Sequence, residues 1–178
     1  MTQFVILPLG GVGQRFIDAG YKTYKPFLKV SKSNTIIDKI VSNFPKKKTK
    51  IIVIGNEKKF GLIKSNFKKN TLFIKIKNHK YGPLYSIFLA NKVLKRIIKD
   101  NPFFIVYSDI NWNWKFQKIN KFIKGKKTVV FTHKGYHPDL EINTKSDFCS
   151  TNKKNYINKI TEKKLIFKDY KKNLLAVG

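Results

Sequence analysis

Cysteine, arginine and acidic residues are scarce in this 178-residue sequence, and each scarcity excludes or disfavours particular kinds of site or partner. Cys149 is the only cysteine, so the chain forms no intrachain disulfide and builds no zinc site from paired cysteines. Only 10 residues are Asp or Glu, against 38 Lys or Arg, which gives a net charge of +28. Because acidic residues are so few, an Asp or Glu beside a candidate site is stronger evidence of a functional role than it would be in an average sequence.

The basic excess consists almost wholly of lysine, since Arg15 and Arg96 are the only arginines. Proteins that read nucleic acids favour arginine, whose planar guanidinium holds phosphate or guanine through two hydrogen bonds. The chain is also rich in Ile, Asn, Phe and Tyr, the set that an AT-rich coding sequence supplies together with lysine. We therefore expect no specific nucleic-acid partner. A non-enzymatic basic protein that binds RNA or a membrane surface is the alternative.

No apolar run in the sequence is long enough to cross a membrane. The first run, residues 4–9, has the length of a strand, and no basic segment precedes it as in a signal peptide. We therefore expect a cytoplasmic protein without a membrane span. With 42% hydrophobic residues and no recognisable linker, residues 1–178 are expected to form a single domain.

Short apolar runs alternate along the chain with segments of helical periodicity. Strands are predicted at residues 4–7, 51–54, 72–74, 103–107 and 128–131, and helices at residues 36–44, capped by Ser33 or Asn34, and 84–98. After Thr132 the pattern weakens, and only residues 156–160, 165–167 and 174–177 have the character of short strands. This order predicts an α/β fold of Rossmann-like type with a mixed, mainly parallel sheet.

A glycine-rich motif, Leu9-Gly10-Gly11-Val12-Gly13-Gln14-Arg15, directly follows the first predicted strand. Glycines let a backbone turn tightly and bring its N–H groups close to a phosphate, and the arginine adds a charged fork. The motif is not a P-loop, because no Gly-Lys-Ser/Thr follows, and Phe16 replaces the third glycine of a dinucleotide-binding fingerprint. It predicts a phosphate site formed by Leu9, Gly10, Gly11, Gly13, Gln14 and Arg15.

A second cation for the same anion is predicted at Lys25, ten residues beyond Arg15. It lies in the segment Tyr24-Lys25-Pro26-Phe27-Leu28, and Pro26 favours an extended backbone at the residue before it. One lysine among so many would carry little weight alone. Its place shortly after the glycine motif is what makes it a candidate.

The order Gly-x-Gly-x-Arg-Phe, Gly20-Tyr21 and Lys-Pro-Phe-Leu-x-Val resembles the signature of the sugar-phosphate nucleotidyltransferases. These are NDP-sugar pyrophosphorylases of the glucose-1-phosphate thymidylyltransferase or uridylyltransferase type. The resemblance implies transfer of an NMP from an NTP to a sugar 1-phosphate with release of pyrophosphate, for surface polysaccharide or glycan synthesis. It also implies catalytic roles for Arg15, Lys25 and Asp109.

Further site residues follow from this resemblance alone. Gly82 resembles the family's glycine loop that meets the nucleoside, and Ser108-Asp109 its Ser-Asp pair that holds the Mg²⁺ cofactor. Glu162-Lys163 resembles a Glu-Lys motif that binds the sugar and its phosphate, and Gly178 lies where a sugar-binding strand begins. A helix-start turn at Gly82 and a solvated charge pair at Glu162-Lys163 explain the same residues equally well.

One family feature has no counterpart in the sequence. A second metal-binding Asp is expected well after the Glu-Lys motif, so the resemblance predicts a C-terminally incomplete domain, whose apolar last strand favours a homo-oligomer. A cytidylyltransferase with a non-sugar acceptor such as phosphocholine shares the glycine loop and stays open, as do the base, the sugar and the activity of this form. His133, His137 and Asp139 are spaced like loop metal ligands, but in a polar stretch they are better explained as surface residues, and we do not predict a metal site there.

Overall fold

The computed structural model describes residues 2–11, 13–67, 70–108, 110, 116–123, 125, 128–134, 147–161, 164–169 and 172–177. For residues 14, 15, 117, 120, 122, 176 and 177 only the backbone is described. The chain divides into two units, Met1–Phe122 and Ile123–Gly178. None of the described helices is long and apolar enough to cross a membrane.

The first unit contains a four-stranded sheet in which every pairing is parallel. Its strands, in spatial order, are β3 (Leu72–Ile76), β2 (Thr49–Asn56), β1 (Gln3–Leu9) and β4 (Phe103–Ile105). The helices are α1 (Gln14–Asp18), α2 (Ile36–Ser42), α3 (Phe60–Ser65), α4 (Pro83–Ile98) and α5 (Phe116–Ile123), with 3₁₀ turns at Lys25–Phe27 and Glu57–Lys59. The predicted α/β class with a parallel sheet is confirmed.

The central strands β1 and β2 are buried on both faces, which is why each contains a continuous apolar run in the sequence. Successive side chains of a strand point to opposite faces. Val5 and Leu7 therefore pack in a core with α2 and α3, whereas Phe4 and Ile6 pack in a second core with α4. All four side chains are at most 4% exposed. This burial holds the carboxyl ends of the strands in fixed relative positions.

Helix α2 begins at Ile36, as the sequence pattern predicts, but its N-cap is a different residue from the one expected. Its cap is Thr35, not Ser33 or Asn34. The Asp38 N–H donates to Thr35 Oγ1 over 3.3 Å, and the Thr35 N–H donates to the Asp38 carboxylate over 3.0 Å. This reciprocal capping box satisfies two N–H groups that the helix itself leaves unpaired. The helix ends at Ser42 with Asn43 as its C-cap, before Pro45 is reached.

The second unit contains an antiparallel sheet of four strands in the order β5-β8-β6-β7. These are β5 (Phe131–His133), β6 (Phe148–Thr151), β7 (Ile157–Thr161) and β8 (Leu174–Val177). The strand predicted at residues 128–131 was placed wrongly, because the strand begins at Phe131 and pairs with β8. Strand β6 was not predicted.

The strand predicted at residues 165–167 is also wrong. The side chain of Asn173, which is 2% exposed, forms hydrogen bonds with the backbone of this segment in place of a neighbouring strand. Its Oδ1 accepts the N–H groups of Ile166 and Phe167 at 2.8 and 3.1 Å, and its Nδ2 donates to the carbonyl oxygens of Phe167 and Asp169. A buried side-chain amide thus satisfies a bent segment of backbone.

Candidate functional site

The carboxyl ends of β1, β2 and β4 meet at one edge of the parallel sheet. Leu9 at the end of β1 is in register with Gly55 of β2, and the Val106 N–H, just after β4, donates to the Ile6 carbonyl oxygen over 3.0 Å. The glycine loop leaves the sheet at this edge. In open α/β sheets ligands bind beyond the carboxyl ends of the strands, so the loop lies where a ligand site is expected.

The start of the loop is held by a buried side chain of the neighbouring strand. Asn56, the last residue of β2, is 1% exposed, and its Nδ2 donates to the Gly10 carbonyl oxygen over 3.1 Å. On the opposite side, a Cβ added to Gly10 would collide with the Ser86 hydroxyl and lie 3.2 Å from His79 Nε2. Gly10 is therefore needed for the close approach of the loop to α4.

The middle of the loop is more exposed than its start and includes a backbone conformation that favours glycine. Gly11 is exposed, and nothing lies within 4 Å of a Cβ added there. Gly13 has φ of +73°, the left-handed region that other residues seldom adopt, and its carbonyl oxygen accepts the N–H groups of Phe16 and Ile17. Gln14 and Arg15 belong to the backbone of α1, while their side chains lie outside the described part of the structure.

Tyr24 holds the first part of the loop through its hydroxyl group. Its hydroxyl oxygen is 2.8 Å from the carbonyl oxygens of both Leu9 and Gly11, so its single proton is donated to one of them at a time. Burial raises the pKa of Tyr24 to about 12. The phenol therefore stays protonated and remains a donor throughout the physiological pH range.

Two lysine ammonium groups lie on aromatic rings beside the loop. Lys25 Nζ is 5.0 Å from the centroid of the Phe16 ring, and Lys59 Nζ is 4.3 Å from the centroid of the Tyr24 ring. Burial lowers the pKa of Lys59, because desolvation penalises its charged form. Together with Gly13 and Tyr21, these side chains line a pocket of about 120 Å³. None of the residues described as lining it is acidic.

The segment before α4 reaches the loop through His79. The Tyr81 N–H donates to His79 Nδ1 over 3.3 Å, which leaves the proton of the neutral ring on Nε2, 2.9 Å from the Ser86 hydroxyl oxygen. Gly82 has φ of +83° and is the N-cap of α4. The contacts of His79 and Ser86 with Gly10 thus bring the loop and the predicted nucleoside segment together.

Several predicted site residues lie outside the described residues, namely Asp109, Glu162, Lys163 and Gly178, as do His137 and Asp139. Their roles stay predictions, as does the Mg²⁺ cofactor. Among the residues that the structure describes, no group of three His, Cys, Asp or Glu side chains could hold a metal ion. His133 is exposed in β5.

The sequence pattern missed Asn56, Lys59 and His79. Asn56 offered one signal, because it is the first side chain able to form strong hydrogen bonds after the apolar run of β2, at the end of a strand where ligand sites form. Lys59 offered none, since nothing in the sequence distinguishes it from the other lysines. The position of His79 beside Gly10 depends on how α4 crosses the sheet, which the sequence does not state.

Comparisons with known proteins give a match to one protein family and to several solved structures. The family model described as nucleotidyl transferase matches residues 4–168. Curated proteins give no significant match. A UDP-glucose pyrophosphorylase solved with UDP-glucose matches with a TM-score of 0.72 at 16% identity, over 100% of this chain and 75% of that one.

Two further solved structures share the fold. A nucleoside-diphosphate-sugar pyrophosphorylase from Vibrio cholerae RC9 has a TM-score of 0.70 at 16% identity, over 97% of this chain and 70% of that one. The inositol-1-phosphate CTP transferase from T. maritima has a TM-score of 0.65 at 18% identity, over 100% of this chain and 69% of that one. At these identities the structures establish the fold, and the family model establishes the class of enzyme. The chain belongs to the nucleotidyl transferase family.

Proposed function

We propose that this nucleotidyltransferase moves an NMP from an NTP onto a sugar 1-phosphate. A phosphate oxygen of the acceptor attacks the α-phosphorus of the NTP, the bond to the bridging oxygen of the β-phosphate breaks, and pyrophosphate leaves. The observation that carries the proposal is the glycine loop at the carboxyl edge of the sheet, hydrogen-bonded to Tyr24 and Asn56 with Lys25 beside it.

The loop suits this reaction because phosphoryl chemistry needs positioning and charge stabilisation more than covalent help from the protein. Backbone N–H groups in a fixed loop stabilise developing negative charge without reorganising during the reaction. In this proposal the loop backbone from Gly11 to Gln14 contacts the phosphates, and Arg15 and Lys25 supply positive charge. Gly82, at the start of α4, meets the nucleoside.

The metal and the acceptor belong to the same proposal. Asp109 follows β4, the strand paired with β1, and its carboxylate is the kind of ligand that Mg²⁺ prefers. When bound, Mg²⁺ would neutralise phosphate charge. Glu162 and Lys163 directly follow β7 in the sequence, and we propose that they and Gly178 bind the sugar 1-phosphate. The NDP-sugar would then serve surface polysaccharide or glycan synthesis.

A cytidylyltransferase with a non-sugar acceptor is the second candidate. It is favoured by one observation, the similarity of the fold to an inositol-1-phosphate CTP transferase as well as to UDP-glucose pyrophosphorylase. Both reactions use the same loop. The two candidates can be separated by measuring pyrophosphate release. Each common NTP is tested with each of three acceptors, namely glucose 1-phosphate, inositol 1-phosphate and phosphocholine.

The test of the proposed loop function is Arg15→Ala, and Arg96→Ala is its matched control. Arg96 is the only other arginine and is exposed on α4. We expect Arg15→Ala to weaken NTP binding roughly ten- to a hundredfold, because a charge-assisted phosphate contact is lost. Arg96→Ala should change nothing, and both variants should keep the parent melting temperature. Equal NTP affinity in the parent and Arg15→Ala would show that the loop was misassigned.

A further inference from the structure

We propose that Lys59 is an additional phosphate-binding residue, which together with Lys25 holds the pyrophosphate portion of the NTP. This inference rests on the proposed function, since it names a further contact at the same site. Three observations support it: how the backbone of Lys59 is fixed, where its ammonium lies, and what lines the pocket beside it.

The backbone of Lys59 is fixed by the same side chain that fixes the glycine loop. Asn56 Oδ1 accepts the Lys59 N–H over 3.0 Å, while Asn56 Nδ2 donates to the Gly10 carbonyl oxygen over 3.1 Å. Asn56 is buried, so this link between the loop and the Glu57–Lys59 turn is protected from water. The position of Lys59 is therefore tied to the loop that is proposed to bind the nucleotide.

The ammonium of Lys59 is directed over the face of Tyr24, with Nζ 4.3 Å from the ring centroid. Tyr24 is the residue whose hydroxyl contacts the carbonyl oxygens of Leu9 and Gly11 in the loop. A cation over a ring face is attracted by the ring but is not neutralised by it. The ring therefore places the Lys59 ammonium beside the loop, where a bound phosphate would interact with it.

The pocket is suited to a polyanion of small size. Lys25, Lys59 and Lys22 line it, and none of its described lining residues is acidic. Pyrophosphate carries the greatest negative charge of any part of the substrate, so it gains most from several lysines that line one pocket. The half-buried position of Lys59 strengthens this attraction, because charges screened less by water interact more strongly.

The experiment compares pyrophosphate and NTP binding by titration calorimetry in the parent, Lys59→Met and Lys58→Met. Lys58 is the adjacent lysine in the same turn, is exposed and is not among the described lining residues. Methionine keeps an apolar stem over Tyr24 while removing the charge. We expect Lys59→Met to weaken pyrophosphate binding roughly tenfold or more, and Lys58→Met to leave it within about twofold.

A second measurement keeps the inference testable if Lys59→Met is less stable. Lys59→Arg retains the charge and the stacking, and should bind pyrophosphate within a few-fold of the parent. Because burial lowers the pKa of Lys59, an anion should raise it again, so binding at about pH 9 should draw a proton from the buffer. Calorimetry in buffers of different ionisation enthalpy detects this uptake, which should be larger in the parent than in Lys59→Met.

The outcomes separate this inference from the proposed function. If the parent turns over NTP but Lys59→Met binds pyrophosphate as tightly and with the same proton uptake, Lys59 only covers Tyr24 and the inference is wrong. Weak binding by Lys59→Arg together with a parent-like melting temperature would also overturn it. If the parent binds neither NTP nor pyrophosphate, the proposed function and this inference both fail.

Discussion

The side-chain amide of Asn56 donates a 3.1 Å hydrogen bond to the carbonyl oxygen of Gly10, across the ends of two neighbouring parallel strands. Asn56→Ala would leave that carbonyl oxygen without this partner and remove the acceptor of the Lys59 N–H. We expect a loss of about 1–3 kcal/mol of stability and weaker NTP binding. Chemical denaturation and NTP titration measure the two effects.

Asn66→Ala is the control for this change. Asn66 is exposed at the end of α3, and its side chain also donates to a backbone carbonyl, that of Leu62. It should lose well under 1 kcal/mol and keep the parent affinity for NTP. If Asn56→Ala binds NTP as the parent does, Asn56 supports the fold without shaping the site.

The raised pKa of Tyr24 makes the free energy of unfolding depend on pH in the alkaline range. Its pKa of about 12 in the folded chain lies above the ordinary 10.0, so the unfolded chain loses this proton first. The stability contributed by the neutral phenol is complete below pH 10.0 and decreases as pH rises towards about 12, by roughly 2–3 kcal/mol in total. Tyr24→Phe has no proton to lose, so denaturation curves of the two proteins should diverge in this range. Parallel pH profiles would contradict the assignment.

Substitution of Gly10 tests whether the loop packs closely against α4. Gly10→Ala places a methyl group against the Ser86 hydroxyl and should cost about 1–3 kcal/mol through overpacking. Ser86→Ala in the same chain removes the obstructing oxygen, so the double variant should lose less than the two single effects added together. Gly61→Ala in α3, where nothing lies within 4 Å of the new methyl group, should be neutral or slightly stabilising. Additive losses would mean that the loop does not pack on α4 in this way.

The sequence was sufficient for the parallel sheet but not for the contacts around the loop. Strands such as β1 consist mainly of one apolar run because both of their faces are buried, and that pattern is visible without a structure. Strand β6 was missed because Phe-Cys-Ser-Thr is short and half polar, although Phe148 and Cys149 are fully buried. The contact of Asn56 with Gly10 joins residues 46 positions apart, and only the strand order reveals it.

The basic excess leads to a prediction about RNA. If the lysines reflect composition and not a binding surface, filter binding should detect only weak, sequence-independent association. This association should decline steeply as salt rises from about 50 to 200 mM, because it depends on counterion release. Affinity that persists at physiological salt and distinguishes RNA sequences would show that the lysines form a specific RNA-binding surface.

Substitution of Asp109 is expected to reduce turnover without changing metal-free nucleotide binding. It follows β4, and β4 pairs with β1, the strand that leads into the glycine loop. Asp109→Asn keeps the size of the side chain but removes the negative charge that would neutralise part of the charge of Mg²⁺. We expect Mg²⁺-dependent pyrophosphate release to fall by about a hundredfold or more, roughly 3 kcal/mol of transition-state stabilisation.

Binding of NTP without metal should be unchanged in Asp109→Asn, since the loop backbone, Arg15 and Lys25 make those contacts in the proposed arrangement. Asp100→Asn is the control, because Asp100 is an exposed acid just after α4 and should leave turnover as it is in the parent. The measurement is pyrophosphate release over a range of Mg²⁺ concentrations with saturating NTP and acceptor. If Asp109→Asn keeps the parent rate and the parent Mg²⁺ dependence, this carboxylate does not hold the metal and another ligand must be sought.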